Sequence, residues 1–248
     1  ALEHPVDSSA VVVAASAIYK DSLLELSHKA EAAVYTIQNE KIALSISTKG
    51  AQPVSAEVKG YRTYDDEDLF LFKEGNSRYS VNVYTGEYIS TSDFVFNLVE
   101  HNDSCIVMRL PFSNGGYIEQ KYLLHEDEYK VDNLLSFVGM QGVIPRNVSS
   151  FDLDFSITVP RLEKGYKNES QYSKLDFYYQ GDKKPEELGR GRNGSKRVDS
   201  KLSWFAFQQQ FFSVIMRAPQ EFASGDLAIN FLGENDENHN LMTCEAKM

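Results

Sequence analysis

Asp152 and Asp154 stand two residues apart on an alternating segment, so their carboxylates share one face at a separation of about 7 Å. That spacing would suit the two-carboxylate chemistry of sugar hydrolysis. The same alternation demands polar residues there whether or not chemistry occurs, and we read the pair as the solvated face of a strand. Asp65, Asp66, Glu67 and Asp68 offer the hard oxygens that calcium takes, but lack the spaced acidic residues and glycine of a calcium loop. That run and the acidic stretch 234–237 are read as solvated turns. Arg190, Arg192, Lys196 and Arg197 reverse the prevailing sign of charge and would suit lipid head groups or an acidic partner. Interleaved with Gly and Ser, they read as an exposed loop, and their glycines do not lead a strand into a helix as a phosphate cradle requires. His4, His28, His101, His125 and His239 are scattered, with no metal-binding spacing, and no Gly-x-Ser-x-Gly elbow is present. Trp204 would make a sugar-stacking platform, but its apolar, strand-like surroundings read as core. We therefore expect no catalytic, cofactor-binding or metal-ligating residues, and no cofactor.

The elements that would position any site must come from a chain of 248 residues with 42% hydrophobic content, enough for one large β domain or two small ones. A net charge of −11 argues against a nucleic-acid backbone or an anionic lipid surface as the main partner, because both repel it. The longest small-apolar stretch, 11–17, falls far short of the roughly 20 residues of a spanning helix, and it lacks the cationic start of a signal peptide. Cys105 and Cys244 make no disulfide framework, although one bridge between them is possible. The sequons at Asn102, Asn147, Asn168 and Asn193 read as chance matches in polar loops.

Residues 1–31 are rich in Ala and Ser and read as a tether, with a weak helical pattern from 18 to 31. From 32 to 248 short runs of period two alternate with polar breaks. Ile42, Leu44 and Ile46 form one apolar stripe; Phe94, Phe96 and Leu98 repeat it; Phe151, Leu153, Phe155, Ile157 and Val159 give the clearest one. Further runs lie at 54–61, 79–84, 106–112, 117–124, 129–138, 175–179, 202–207, 211–217 and 227–232. Turn signals at Gly50, Gly75, Gly86, Gly115 and Gly189 separate many of them. Twelve or more closely spaced strands predict an all-β fold, a large antiparallel sandwich, with few short helices, the body's one helical candidate being 162–172.

From Tyr35-Thr36-Ile37-Gln38-Asn39-Glu40-Lys41 through Ser47-Thr48-Lys49-Gly50-Ala51, Val58-Lys59-Gly60-Tyr61-Arg62-Thr63-Tyr64 and Leu69-Phe70-Leu71-Phe72, the chain resembles the periplasmic domain of YidC-type membrane protein insertases, particularly the Bacteroidetes type. Trp204-Phe205-Ala206-Phe207-Gln208-Gln209-Gln210-Phe211-Phe212 resembles that family's Trp-x-Ala segment with its following Gln and paired aromatics. The similarity covers roughly residues 33–217 and lies in an ordered series of segments.

The resemblance implies a β-supersandwich of galactose mutarotase-like shape at the periplasmic face of the bacterial inner membrane. It places the tether after a membrane helix and implies further residues beyond Met248, so that the domain is possibly truncated at its C-terminus. Translocase subunits and nascent membrane proteins are the implied partners, met through the full-length, membrane-tethered insertase. The family's insertase groove lies among membrane helices, and no groove residue carries over. A mutarotase site is not implied either, because its paired His and Glu have no counterpart among the five histidines. The leading expectation is a non-enzymatic accessory domain. The competing one is a carbohydrate-binding module or sugar-active enzyme.

Overall fold

A computed structural model describes residues 18–248, and strands account for most of them. In chain order they open with a helix, α1 (Ser22–Lys29), then β1 (Val34–Gln38), β2 (Ile42–Ser47), β3 (Gln52–Arg62), β4 (Asp68–Phe72), β5 (Ser77–Tyr84) and β6 (Tyr88–Ser90). After a single 3-10 turn at Thr91–Asp93 come β7 (Asn97–Asn102), β8 (Cys105–Pro111), β9 (Tyr117–Leu124), β10 (Val131–Val138) and β11 (Asp152–Pro160). A second helix, α2 (Tyr166–Tyr172), leads into β12 (Lys174–Tyr179), β13 (Glu186–Leu188) and β14 (Gly194–Val198). The chain closes with β15 (Leu202–Gln208), β16 (Ser213–Phe222), β17 (Gly225–Phe231) and β18 (Asn240–Lys247).

These strands form four sheets in the orders β1-β2-β3-β4, β10-β9-β8-β7, β14-β17-β18-β11-β5-β6 and β13-β12-β15-β16. Hairpins account for most neighbours, but the six-stranded sheet joins β5, β11 and β18 from distant parts of the sequence. Alternation explains which face is buried. In β9, Ile118, Gln120, Tyr122 and Leu124 point inward while their neighbours are half-exposed. In β11, Phe155, Ile157 and Val159 are buried, and Phe155 stacks on Phe207 of β15 with ring centroids 5.5 Å apart. That contact joins two sheets across the apolar core. The fold is thus the all-β antiparallel architecture expected from the alternation.

α1 is docked on the sheets. Asp21 caps it by accepting from the Leu23 and Leu24 amides, and its second oxygen accepts from the Ser113 amide at 2.9 Å. Leu24 is 1% exposed, a burial that stabilises the helix by about 2 kcal/mol. The remainder of the expected tether, residues 1–17, and His4 with it, lie outside the described residues. The second helix is shorter than the 162–172 pattern suggests. Its first residues instead fold as a loop that buries Leu162 with Val58 and Leu69 in a small satellite core.

One expected strand is different in kind. Phe94 and Phe96 are buried, but β7 starts only at Asn97, and Leu98 is 36% exposed. The Phe94 carbonyl accepts from the Gly50 amide and the Phe96 amide donates to the Thr48 carbonyl, so this segment docks on the β2–β3 turn instead of joining a ladder through all three residues. In that turn Gly50 sits at φ 80 and Ala51 at φ 47, a left-handed pair that the rest of the core must hold. Gly116 is required for another reason: a Cβ there would lie 2.5 Å from the Gly139 carbonyl oxygen. Cys105 and Cys244 are both buried free thiols, so the bridge that two cysteines allowed is not made.

Candidate functional site

Where β3, β4, β10, β11 and β16 meet, the apolar faces do not close on one another. They leave a cleft of about 1030 Å³. Its walls are Val58 and Tyr61 on β3, Leu71 on β4, the 131–135 stretch of β10, Leu153 on β11 with Phe151 just ahead of it, and the 214–218 stretch of β16. Phe211 and Ile215 stand at its margin, 68% and 64% exposed, and Tyr61 meets Phe212 edge-on at 5.3 Å. Exposed large apolar side chains gathered around a concavity mark a binding surface.

Two buried tyrosines, Tyr79 and Tyr122, lie at the floor. The Tyr122 hydroxyl donates to the Ala51 carbonyl at 2.6 Å, with the Gln120 side-chain oxygen at 3.1 Å. Asn133 donates to that same Gln120 oxygen at 3.3 Å, and Gln120 donates to the Gly50 carbonyl at 3.4 Å. This network ties the left-handed 50–51 turn to the β9–β10 hairpin. Burial pushes both hydroxyls well above the ordinary tyrosine range, so they are neutral hydrogen-bonding groups. Tyr122→Phe is expected to lower the unfolding free energy by about 1–2 kcal/mol in urea titration, by orphaning the Ala51 carbonyl, with the far-ultraviolet dichroism unchanged.

Ionisable groups are sparse along the walls. Asp132 accepts from His125 at 2.7 Å and has Lys130 at 3.3 Å. The imidazole hydrogen bond, followed by that of the lysine, holds its carboxyl below the usual range. Arg217 is the charged side chain on the β16 wall, and among the described residues neither His nor Glu lines the cleft.

The residues singled out in the sequence lie elsewhere, except where their neighbours form the walls. Asp152 and Asp154 project from β11; Asp154 accepts from Asn82 at 2.9 Å, and Asp152 is exposed. Asp65 to Asp68 form the exposed β3–β4 turn, where Arg62 pairs with Asp68 at 2.8 Å. In the 234–237 turn, Asp236 accepts from the Asn240 amide at 2.9 Å. Among the described residues no group of three or more His, Cys, Asp or Glu is placed to hold a metal. His28 and His101 each bond a backbone carbonyl, that of Asp93 and that of Thr36.

Two readings are corrected. The basic segment is not a free loop: Lys196 and Arg197 belong to β14, and acidic partners surround the cluster. Arg190 pairs with Glu187, Lys196 with Glu186, and Arg197 with Asp226, at 2.7 to 2.8 Å. Arg190, with Lys174, holds the Glu187 carboxyl down to about 2. Nor is Trp204 a core residue. Alternation puts it on the opposite face from Phe205 and Phe207, where it stacks on Tyr178, half-buried, with ring centroids 5.9 Å apart, while a bulge after Leu202 shifts the phase so that Leu202 is buried.

Among solved structures, a galactose mutarotase-like protein from Lactobacillus casei superposes with a TM-score of 0.51, at 13% identity over 87% of each chain. This likeness concerns the fold. In sequence, the membrane protein insertase YidC of Porphyromonas gingivalis is 30% identical over 194 residues, and that of Parabacteroides distasonis 31% over 204. Those alignments take in 77% and 81% of this chain but 31% and 32% of the relatives, so the chain spans about a third of their length. No helix among the described residues is long and apolar enough to cross a membrane. The family model for the YidC periplasmic domain matches residues 34–239, which takes in the strands that build the cleft from β3 to β16, and the chain belongs to that family.

Proposed function

We propose that this domain serves a membrane protein insertase as a non-catalytic accessory, standing at the periplasmic face of the inner membrane and holding apolar polypeptide segments in its cleft. The observation that carries this reading is the cleft itself: about 1030 Å³ walled by aliphatic and aromatic side chains, with Phe211 and Ile215 exposed at its margin. Proteins that insert into membranes expose such segments before they are buried in lipid, and translocase subunits handling the same segments are the natural neighbours. Transient capture needs contact area and no bond chemistry. The insertase names of the relatives support the assignment, and of the expected tether at 1–31 only the part ahead of α1, which packs on the domain 32–248, would link that domain to the membrane.

The test places a photo-crosslinking amino acid at Leu134 or Ile215 in the full-length insertase, in cells synthesising a membrane protein arrested during insertion. Crosslinks from both positions to the arrested protein or to translocase subunits are expected. A control at Lys196, on β14 away from the cleft, should give at least about fivefold fewer. Equal yields from all three positions would overturn the assignment of the cleft as the contact surface.

A further inference from the structure

We propose that the free edge of β16 is the recognition element of the cleft, and that its occupant is an extended, uncharged polypeptide segment added to the sheet as one more strand. This rests on the cleft being the contact surface, as argued above. β16 bonds to β15 on one side and ends its sheet on the other, so alternate N–H and C=O groups face outward without a strand partner. Three other end strands carry charge along their edges, Glu186 and Glu187 on β13, Lys196 and Arg197 on β14 and Glu100 on β7, whereas the uncharged β1 and the three-residue β6 border no part of the cleft. Such charges are the usual defence against unwanted pairing. From 214 to 216 β16 has none.

Here Val214 and Met216 lean on the core while Ile215 faces outward, and residues 213–218 all border the cleft. Pro219, which has no N–H, and Glu221, at φ 64, end the usable edge. The six residues before them give about 20 Å of ladder. Across the cleft β10 is the end strand of its own sheet, so a second edge borders the same space. Charge narrows the occupant further. Asp132 is already partnered by His125 and Lys130, whereas Arg217 has no ion pair among the described residues. The walls therefore favour a segment without charges, with room for a carboxylate at the Arg217 end. A polypeptide supplies the alternating donors and acceptors that a sheet edge pairs with; an acyl chain does not.

The test titrates the 248-residue chain with a fluorescent ten-residue peptide of alternating Val and Thr ending in a free carboxylate. A second peptide of the same sequence carries N-methyl groups at every other residue, and a third probe is a fluorescent acyl chain. The plain peptide is expected to bind, the methylated one about tenfold more weakly, and amide hydrogen exchange over 213–218 to slow when the plain peptide is bound. Ile215→Lys, an exposed position given the charge that other edges carry, should also weaken the plain peptide about tenfold. Equal affinity for both peptides, unchanged exchange over 213–218, or a preference for the acyl chain would each overturn strand addition while leaving the cleft occupied. Binding by none of the probes, together with absent crosslinks at Leu134 and Ile215, would overturn the cleft assignment as well.

Discussion

Phe155→Ala is expected to cost about 3–5 kcal/mol of unfolding free energy, enough to leave a domain of ordinary stability barely folded. Phe155 is 5% exposed on β11, the strand that bonds to both β5 and β18. Its ring stacks on Phe207 at 16° and meets Phe205 and Tyr79 at 6.5 Å. Truncation to alanine would remove contacts to two sheets at once, and the backbones of three bonded strands cannot move in to fill the space. Four residues earlier, just before β11 begins, Phe151 is 45% exposed and borders the cleft, with its ring tilted against Phe137. Phe151→Ala should cost less than about 1 kcal/mol and show itself in peptide affinity instead. Urea midpoints of the two variants decide the matter: similar losses for both would mean that Phe155 does not join the sheets as described.

That contrast also marks what the sequence discloses. The stripe at 151–159 reads as one buried face, and Phe155, Ile157 and Val159 obey it, but its first two members face a space that the sheets leave open. Alternation reports which side of a strand is apolar, and the apolar side meets either another sheet or a cleft. β18 escapes the sequence reading altogether, although it sits between β11 and β17. Its inward residues after Leu241 are Met242, Cys244 and Ala246, side chains too small or too neutral in strand preference to stand out beside Thr243 and Glu245. Its place is fixed by two neighbours that bury it, a tertiary effect.

The candidate site was less legible than the fold for a related reason. Whether β16 is an edge depends on which strands pair with it, and pairing between distant segments is not written in local periodicity. One local sign was present: Val214, Ile215 and Met216 are apolar on both faces of a strand, which a one-sided sheet does not require. The basic segment misled for the converse reason. Its carboxylate partners include Asp226, 29 residues beyond Arg197, and only the fold brings them together. Chemistry-bearing residue types were visible from the start, but the cleft is built from types that carry none.

One titratable group escaped the sequence reading, and it gives the second large effect expected of this domain. Glu169 on α2 is fully buried; its Oε1 accepts from the Leu162 amide at 2.9 Å, and its Oε2 has no side-chain hydrogen-bond partner among the described residues. Burial pushes its carboxyl up to about 7, against the pull of the Leu162 and Glu163 backbone amides and of the Arg161 charge, while the Glu163 charge adds a little to the rise. A carboxyl that holds its proton more tightly folded than unfolded makes stability fall as pH rises. The contribution is fully present below the unfolded value near 4.5, fades between 4.5 and about 7, and is gone above. The span corresponds to roughly 3 kcal/mol. Carboxyls held low by their partners, such as Asp21 and Asp132, act in the opposite direction, so the total curve alone cannot isolate Glu169. The difference between the parent and Glu169→Gln can, because those groups cancel. Glutamine keeps the acceptor for the Leu162 amide and cannot ionise. The variant should therefore match the parent within about 1 kcal/mol at pH 4 and exceed it by roughly 3 kcal/mol at pH 8, measured by urea denaturation. Because Leu162 packs with Val58 and Leu69 beneath Phe212 at the cleft wall, amide exchange at Leu162 should slow in the variant at pH 8. A difference that stays constant from pH 4 to pH 8 would mean that Glu169 titrates like an exposed side chain, and the buried carboxyl would have no part in setting how firmly the 161–165 loop supports the cleft.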